Sequence, residues 1–263
     1  MHNQTALRAG DHGADVTVLQ TRLTSAGFAV PLTGLFDHPT VAALRAFQGS
    51  RGMVVDGVAG PRTQAALLGK MDPRALTQAN ITAAATELGC EPAAIQAVIE
   101  VESPNGGYLP DGRVVILFER HVFWKQLTAA GIDPAKVQAP ESLLSQHRGG
   151  YVGGVGEYQR LAAAKAIAVE PAMESCSWGR FQIMGYHAHA LGYHSASDMA
   201  SAFAVSEAEQ LIAFNRFIIG QPILHNALLE TNWPDFARAY NGPAYADNLY
   251  DTRLDRAFRA YSV

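Results

Sequence analysis

The sequence predicts a mainly α-helical protein: a small three-helix module followed by a larger, predominantly helical domain with a minor β element. Three observations support this fold class. Apolar residues recur at helical spacing along most of the 263 residues. The β-branched run 114–118 is the best candidate for a strand. The length leaves room for two domains, or for one large and one small domain.

Composition narrows the function classes. Hydrophobic residues make up 48% and charged residues 17%, which is typical of a globular protein with a real core. A net charge of −4 and a pI near 6.1 give no sign of a nucleic-acid binder or a cationic membrane-active tail. The sequence contains no run of about 18 or more apolar residues, the length that a helix needs to span a bilayer.

The N-terminal stretch lacks a basic segment followed by an apolar one, so we expect no signal peptide. Cys90 and Cys176 occur in no metal-type or redox-type pair. We expect both to be reduced and structural, with a disulfide between two helices as the alternative.

Residues 7–68 form an internally repetitive block. Val16, Leu19 and Leu23 fit a short amphipathic helix, and a second helix follows Thr40. Residues 34–40 and 56–63 both contain a glycine turn and then a threonine. Glycine permits a tight backbone, and each threonine hydroxyl is predicted to cap the next helix.

This block resembles the peptidoglycan-binding module of three short helices found at the ends of many cell-wall hydrolases; the alternative is an unrelated three-helix bundle. The matching residues are Leu19-Gln20, Gly27, Gly34, Phe36, Thr40, Phe47-Gln48, Asp56-Gly57, Gly60 and Thr63. The family usually has glycine after phenylalanine, where this chain has Asp37-His38. The resemblance implies peptidoglycan as a partner. The candidate peptidoglycan-site residues of the module are Asp37, Thr40, Asp56 and Thr63.

The predicted domains are a module at 1–69, a linker and lead-in at 70–80, and a larger domain at 81–263. Within the larger domain, residues 175–185 are ambiguous between a turn and a helix start, and 138–156 reads as a loop. The predicted helices are 82–88, 93–102, 122–127, 158–169, one from the Ser206–Glu209 capping box through Ile218, and one from Asn232 to Asn241.

The helix 93–102 carries the first chemical candidate. Ile95, Val98, Ile99 and Glu102 follow the spacing i, i+3, i+4, i+7, so Glu102 should share the inward apolar stripe. Glu100 should lie on the opposite, solvated face. Pro104 disfavours a helical Ser103, so the helix should end there.

Glu102 is therefore predicted at a helix C-terminus on the buried face. The negative end of the helix dipole and partial desolvation should both raise the pKa of Glu102. A protonated carboxyl near neutral pH is what a glycosidase needs to protonate a leaving glycosidic oxygen. The alternative is a glutamate that extends to solvent from the helix end or pairs with an arginine.

Three segments follow in a recognisable order: Glu102-Ser103, Trp178–Met184 and Ala239–Gly242. This succession resembles the goose-type lysozyme and lytic transglycosylase superfamily. More narrowly, Glu100–Ser103, Ile116–His121 and Ser177–Gly179 resemble the N-acetylmuramidase domain of modular phage endolysins. The resemblance spans roughly residues 80–263 and implies a lysozyme-like catalytic domain.

The resemblance also implies residue roles. Glu102 would be the general acid, and Tyr240 would support it by a hydrogen bond to that carboxyl or to the sugar. The candidate substrate-binding residues are Ser103, Gly179, Gln182, Met184 and Asn241. Gln182 and Asn241 suit N-acetyl and hydroxyl groups, Gly179 would let a sugar approach the backbone, and Met184 would floor the cleft. Alternatively, Gln182 lies on a surface turn, Tyr240 belongs to the core, and Met184 is filler.

A second catalytic carboxylate is not fixed by any motif. An inverting hydrolase needs a base to activate water, about 6.5–9.5 Å from the acid. Glu119, which follows the predicted strand, is the first candidate, and a structural ion pair with Arg120 or another arginine is its alternative. Glu170, Glu174 and Asp111 are weaker candidates. Without a base, the sugar's own 6-hydroxyl could displace the leaving group.

Metal chemistry is not predicted, because His187, His189 and His194 have no glutamate or cysteine at zincin or amidase spacing. No phosphate loop, dinucleotide fingerprint or Gly-x-Ser-x-Gly elbow occurs, so no cofactor is expected.

Together these observations predict an endolysin that cleaves the β-1,4 bond between N-acetylmuramic acid and N-acetylglucosamine. The alternatives are a lytic transglycosylase using Glu102, or a wall-binding or virion protein without activity. We expect a monomer that gathers in the host cytoplasm until a holin releases it to the cell wall.

Overall fold

The structure, a computed structural model, describes residues 6–102 and 106–262. The chain divides into two compact units, one ending at Ala83 and the other beginning at Ala84. Both are built mainly from helices, and the described residues form one small sheet of three strands. The mainly α prediction is therefore confirmed.

The first unit contains three short helices around one core. They are α1 (Ala14–Ser25), α2 (His38–Ser50) and α3 (Pro61–Leu67). The core consists of fully or nearly fully buried apolar side chains: Val16, Leu19, Leu23, Val30, Phe36, Leu44, Phe47, Ala59 and Ala66. Phe28 packs edge-on against Phe47, with ring centroids 5.7 Å apart. These contacts confirm the apolar spacing read from the sequence.

Gln20 is one of two buried glutamines that organise the turns of this unit. Its side-chain oxygen accepts from the Gly34 amide at 3.0 Å. Its amide donates to the Leu35 carbonyl and to the Thr40 hydroxyl, both at 2.9 Å. Both polar groups of the Gln20 side chain therefore bind the turn that precedes α2.

Gln48 repeats this pattern at the turn before α3. Its oxygen accepts from the Gly57 amide at 2.9 Å, and its amide donates to the Val58 carbonyl at 3.1 Å and the Thr63 hydroxyl at 3.3 Å. The internal repeat in the sequence thus corresponds to two equivalent glutamine–turn contacts. The predicted role of threonine as helix cap is wrong, since Thr40 and Thr63 are each the third residue of a helix. Asp37 caps α2 by accepting from the Thr40 amide, because its carboxylate precedes the helix.

The four residues assigned to the peptidoglycan site of the module are used within the fold. Thr40 and Thr63 are buried, and Asp37 caps α2. Asp56 accepts from the Gln48 amide at 2.6 Å and from the Val58 amide at 2.9 Å. These contacts give all four residues a structural role, and the assignment to wall contact stays untested.

We predict that Gln48→Ala destabilises the first unit by about 2–3 kcal/mol, because the Gly57 amide and Val58 carbonyl would lose a buried partner. Hydrogen exchange of the full chain should show faster exchange across residues 54–67. Gln159→Ala, at an exposed glutamine, is the control and should leave that segment unchanged. Equal exchange in both variants would contradict the proposed importance of Gln48.

The second unit begins within α4 (Gln78–Leu88), and α5 (Pro92–Glu102) follows it. Strand β1 (Ile116–Phe118) comes next, as predicted. The remaining elements, in order, are α6 (Arg120–Ala129), α7 (Gly156–Lys165), α8 (Val169–Glu174), β2 (Cys176–Trp178), β3 (Ile183–Met184), α9 (Ala196–Val205), α10 (Glu207–Ile219), α11 (Pro222–Leu229), α12 (Trp233–Asn241) and α13 (Tyr250–Tyr261). Short 3-10 helices occupy Pro134–Lys136, Gly185–His187 and Pro243–Asn248.

Helix α5 is enclosed on all sides. Residues 93–99 and Val101 are buried, so the helix has no solvated face along most of its length. Helix α13 packs along α5, and α12 packs against α13. Glu100, expected on a solvated face, is partly exposed, and the Tyr261 hydroxyl of α13 donates to its carboxylate at 2.6 Å. The second unit is therefore organised around this central helix.

The sheet is antiparallel in the order β1-β2-β3. Ile116 pairs with Trp178, and Phe118 pairs with Cys176. The segment 175–185, ambiguous in the sequence, is a hairpin whose turn contains two residues of positive φ, Gly179 at 71° and Gln182 at 50°. A helix cannot accommodate such a pair, which is why the segment does not continue α8.

Candidate active site

Glu102 is the last residue of α5 and is partly buried. Burial raises the pKa of this carboxyl, while a hydrogen bond from Asn241 and the charge of Arg253 act in the opposite direction. The direction expected from the sequence is thus found, with desolvation as its main cause. Ser103, assigned to substrate binding, lies outside the described residues.

Asn241 is the partner of this carboxyl. It ends α12, and its side-chain Nδ2 donates to Glu102 Oε1 at 2.9 Å. The bond joins the ends of two helices that are 139 residues apart in sequence. It also fixes one carboxyl oxygen, which leaves the other for chemistry.

Tyr240 has a different partner from the one expected. Its hydroxyl donates to the Phe181 carbonyl at 3.0 Å, so Asn241 rather than Tyr240 bonds the Glu102 carboxyl. Burial, followed by the Glu102 charge, raises the pKa of Tyr240 far above its usual range. The ring stacks on Phe236 with centroids 5.7 Å apart. Tyr240 therefore anchors α12 to the turn between β2 and β3.

That turn, residues 179–182, carries Gln182 on its exposed side. Gln182 Oε1 accepts from the Ser177 hydroxyl, and Nε2 donates to the Gly179 carbonyl, both at 2.8 Å. The side chain thus closes its own turn, as the surface-turn alternative predicted. Met184 is half-buried and pairs with Ser177 across the ladder.

Gly179 is required by packing. A Cβ at this position would lie 2.8 Å from the Gln210 side chain and 2.9 Å from Phe203 Cδ2. Its φ of 71° also disfavours other residues. The side of Gly179 that a Cβ would occupy is therefore filled by protein side chains, and a role in sugar approach is not needed to explain the glycine.

Two residues that the sequence reasoning missed support this turn. Glu207, fully buried, accepts from the Gly107 amide at 2.7 Å and pairs with Arg180 Nη1 at 3.1 Å. Gln210 accepts from the Arg180 amide at 2.7 Å. Both lie at i and i+3 on the same stripe of α10 as the buried Leu211 and Phe214, and this polar pair on an apolar face was a readable signal.

Glu119, the predicted base, directly precedes α6. Its Oε2 accepts from the Tyr151 hydroxyl at 2.8 Å and lies 3.1 Å from His121 Nδ1. Arg120 is not its partner, because that guanidinium donates to the carbonyls of Glu141, His147 and Arg148, each at 2.8 Å.

Glu119 lies at the opposite end of β2 from the 179–182 turn. Its amide bonds the Ser175 carbonyl at 2.9 Å, just before β2 begins. The four residue-to-residue steps from Ser175 to Gly179 span about 13 Å at the usual rise of an extended strand. The structure therefore brings Glu102, Asn241, Tyr240 and the turn together, and it places Glu119 at the far end of the sheet.

The weaker base candidates have other partners. Glu170 accepts from the Ala196 amide and the Ser197 hydroxyl at the start of α9. Burial, and next the charge of Glu170, raises the pKa of Glu174. Asp111 forms an exposed ion pair with Arg113 at 2.6 Å. Within residues 6–102 and 106–262, none of these three carboxylates is hydrogen-bonded to Glu102.

Residues 6–102 and 106–262 contain no group of three or more His, Cys, Asp or Glu side chains able to hold a metal ion. They also contain no helix long and apolar enough to cross a membrane. The ring of His187 packs against Tyr186 and Phe217, and burial lowers its pKa.

Comparisons with known proteins agree with this architecture. A family model described as N-acetylmuramidase matches residues 91–262, and one described as putative peptidoglycan binding domain matches residues 12–67. A crystal structure of Burkholderia AP3 phage endolysin is 48% identical, with a TM-score of 0.93, covering 98% of each chain.

A shorter similarity involves the N-acetylmuramoyl-L-alanine amidase CwlL of Bacillus licheniformis. It is 42% identical over 66 residues, which cover 24% of this chain and 18% of that amidase. Both resemblances read from the sequence are confirmed by the family matches. With 172 consecutive residues (91–262) matched to one family description, the chain belongs to the N-acetylmuramidase family.

Proposed function

We propose that this chain is a phage endolysin in which Glu102 protonates the glycosidic oxygen between N-acetylmuramic acid and N-acetylglucosamine. The chain is a peptidoglycan hydrolase by its family, and its overall similarity to a phage endolysin supports the lytic role. One observation carries the assignment of Glu102. It is the carboxyl with a raised pKa at the point where α5, α12 and the 179–182 turn meet.

In the proposed reaction, the Glu102 carboxyl gives its proton to the leaving oxygen as the bond from that oxygen to the anomeric carbon breaks. The electron pair of the bond stays on the oxygen, and the sugar develops oxocarbenium character. Water then bonds to the anomeric carbon and loses a proton. Asn241 fixes one oxygen of the acid, so that the other can be presented to the substrate.

Glu119 is the candidate proton acceptor for that water, and it lies beyond the end of β2 that is farther from the 179–182 turn. This position favours one alternative, in which the muramic acid 6-hydroxyl replaces water and the product carries a 1,6-anhydro end. Glu102 would act as the acid in both reactions.

The first unit supplies attachment, since it matches the peptidoglycan-binding family. Tethering raises the effective concentration of glycan at the catalytic unit, so even weak wall binding would increase the rate of cleavage. We further propose that the protein acts as a monomer and passes from the host cytoplasm to the wall after holin action. Its similarity to a phage endolysin supports this route.

Mass spectrometry of fragments released from purified peptidoglycan tests the reaction type. We expect reducing N-acetylmuramic acid ends from the wild-type protein. Anhydro-muramic ends would move the assignment to a transglycosylase. If no glycan fragment is released while the protein still binds the wall, the chain is a wall-binding protein and the proposal is wrong.

A further inference from the structure

Arg253 of helix α13 contacts the end of α5. Arg253 Nη2 donates to the Val101 carbonyl at 3.4 Å, one residue before Glu102. The guanidinium also lies over the Tyr250 ring, 5.4 Å from its centroid. About two turns further along α13, the Tyr261 hydroxyl donates to the Glu100 carboxylate. Helix α13 is thus bonded to the last turn of α5 at Glu100 and at Val101, just before Glu102.

The position of this contact has an electrostatic consequence. The last carbonyls of a helix lack partners within the helix and carry its negative partial charge. A guanidinium at the Val101 carbonyl offsets that charge next to the carboxyl that the mechanism uses. Its attraction for the carboxylate form opposes the desolvation of Glu102.

We propose that Arg253 is a positioning residue for glycan cleavage: it holds the last turn of α5 and supplies the positive charge that acts on the Glu102 carboxyl. This inference rests on the proposed role of Glu102 as the acid. In this role Arg253 does not act on the substrate or on the bond that breaks. It acts through α5.

Three elements near Glu102 carry other ionisable groups, and these groups have partners of their own. On α12, Tyr240 is engaged with the Phe181 carbonyl. On the 179–182 turn, Arg180 is paired with Glu207. On α5 itself, Glu100 accepts from Tyr261. Arg253 is the cation whose charge acts on Glu102 among the described residues.

The sign of the expected effect follows from the protonated form being the active one. Activity falls as the pH rises through the pKa of Glu102, and Arg253 lowers that pKa. Arg253→Gln removes the charge, so the pKa should rise and the alkaline limb of kcat/KM should move to higher pH. We expect relative activity on that limb to increase about two- to three-fold, and the difference to shrink in high salt.

Matched variants make the test specific. Arg253→Lys keeps the charge and should restore the wild-type limb. Arg259→Gln, on the same helix but paired with Asp255 at the surface and with its side chain 77% exposed, should not move the limb. Carboxyl NMR of Glu102 in each full-length variant gives the same comparison without activity. Wall binding should be equal in all of them.

An unchanged limb and an unchanged Glu102 titration in Arg253→Gln would overturn the inference. So would an equal shift in Arg253→Lys, since the contact would then act through shape alone. A Glu102→Gln variant that retains turnover would instead contradict the proposed function, whatever the Arg253 variants show. Thermal unfolding shows whether each variant is folded. If Arg253→Gln is not folded, the inference is tested by the Glu102 titration in Arg253→Lys.

Discussion

Glu102→Gln should lower glycan release from purified peptidoglycan by roughly 10²- to 10⁴-fold, the usual contribution of a positioned general acid. Glutamine has nearly the same shape, and its amide oxygen can still accept from Asn241 Nδ2. It cannot give up a proton to the leaving oxygen. The expected loss is therefore in turnover, with the fold and wall binding retained.

Glu100→Gln is the matched control for this experiment. Glu100 lies two residues earlier on the same helix, and its carboxylate accepts from the Tyr261 hydroxyl. The amide oxygen of a glutamine can accept the same hydrogen bond. Its activity should stay within a few-fold of wild type. Equal activity in both variants would mean that Glu102 is not the acid. A loss of wall binding in Glu102→Gln would point to misfolding, and circular dichroism would detect it.

Glu157→Gln should destabilise the second unit by about 3–5 kcal/mol, the cost of leaving one member of a buried ion pair alone. Glu157 is fully buried and accepts from the amides of Val152 at 2.7 Å, Gly153 at 2.9 Å and Phe118 at 3.1 Å. Arg160 Nη1 bonds the same carboxylate at 2.6 Å. A glutamine would turn one acceptor into a donor facing other donors.

The pH dependence of stability gives a second measurement at this position. Burial alone would raise the pKa of Glu157, yet its hydrogen bonds from Gly153, Val152, Phe118 and Arg160 lower it below 4.5. A depressed pKa contributes stability that is present above the unfolded value near 4.5 and is lost as the pH falls through the lower folded pKa. Urea unfolding should show this acid-side loss in wild type and a weaker one in Glu157→Gln.

Glu141→Gln is the control for both measurements. Its side chain is 77% exposed, and its carboxylate lies 3.7 Å from Arg120, a geometry that contributes little to stability. A change below about 0.5 kcal/mol is expected. If Glu157→Gln is as stable as Glu141→Gln, the buried carboxylate does not hold the 152–153 loop to β1.

The sequence predicts the helices that carry regular apolar spacing, and it places Glu102 at the end of one of them. It does not predict that α5 is enclosed on all sides, because the covering helix α13 offers a weak pattern. Only Leu254 and Ala257 of α13 are buried, and most of its other residues are polar. An apolar stripe shows that one face of a helix is buried, but it does not show how many other elements cover the helix.

The candidate site shows where local reasoning stops. Tyr240 and Asn241 are adjacent on α12, and both are suited to a carboxyl partner. Which of them reaches Glu102 depends on the orientation of α12, which is fixed by the bond from Tyr240 to Phe181. The distance from Glu119 to the 179–182 turn likewise depends on the register of β1 with β2, a non-local quantity.

In the first unit, the glutamine side chains that hold the turns are buried, while other side chains of the same turns are exposed to solvent. Gln20 and Gln48 bind their turns through backbone groups and threonine hydroxyls, so these bonds do not depend on the apolar side chains of the turns. Leu32 and Leu35, 59% and 46% exposed, stand on the first of these turns. Substitutions of these two leucines leave the glutamine contacts in place, so the outer surface of this turn can change in sequence while the scaffold persists.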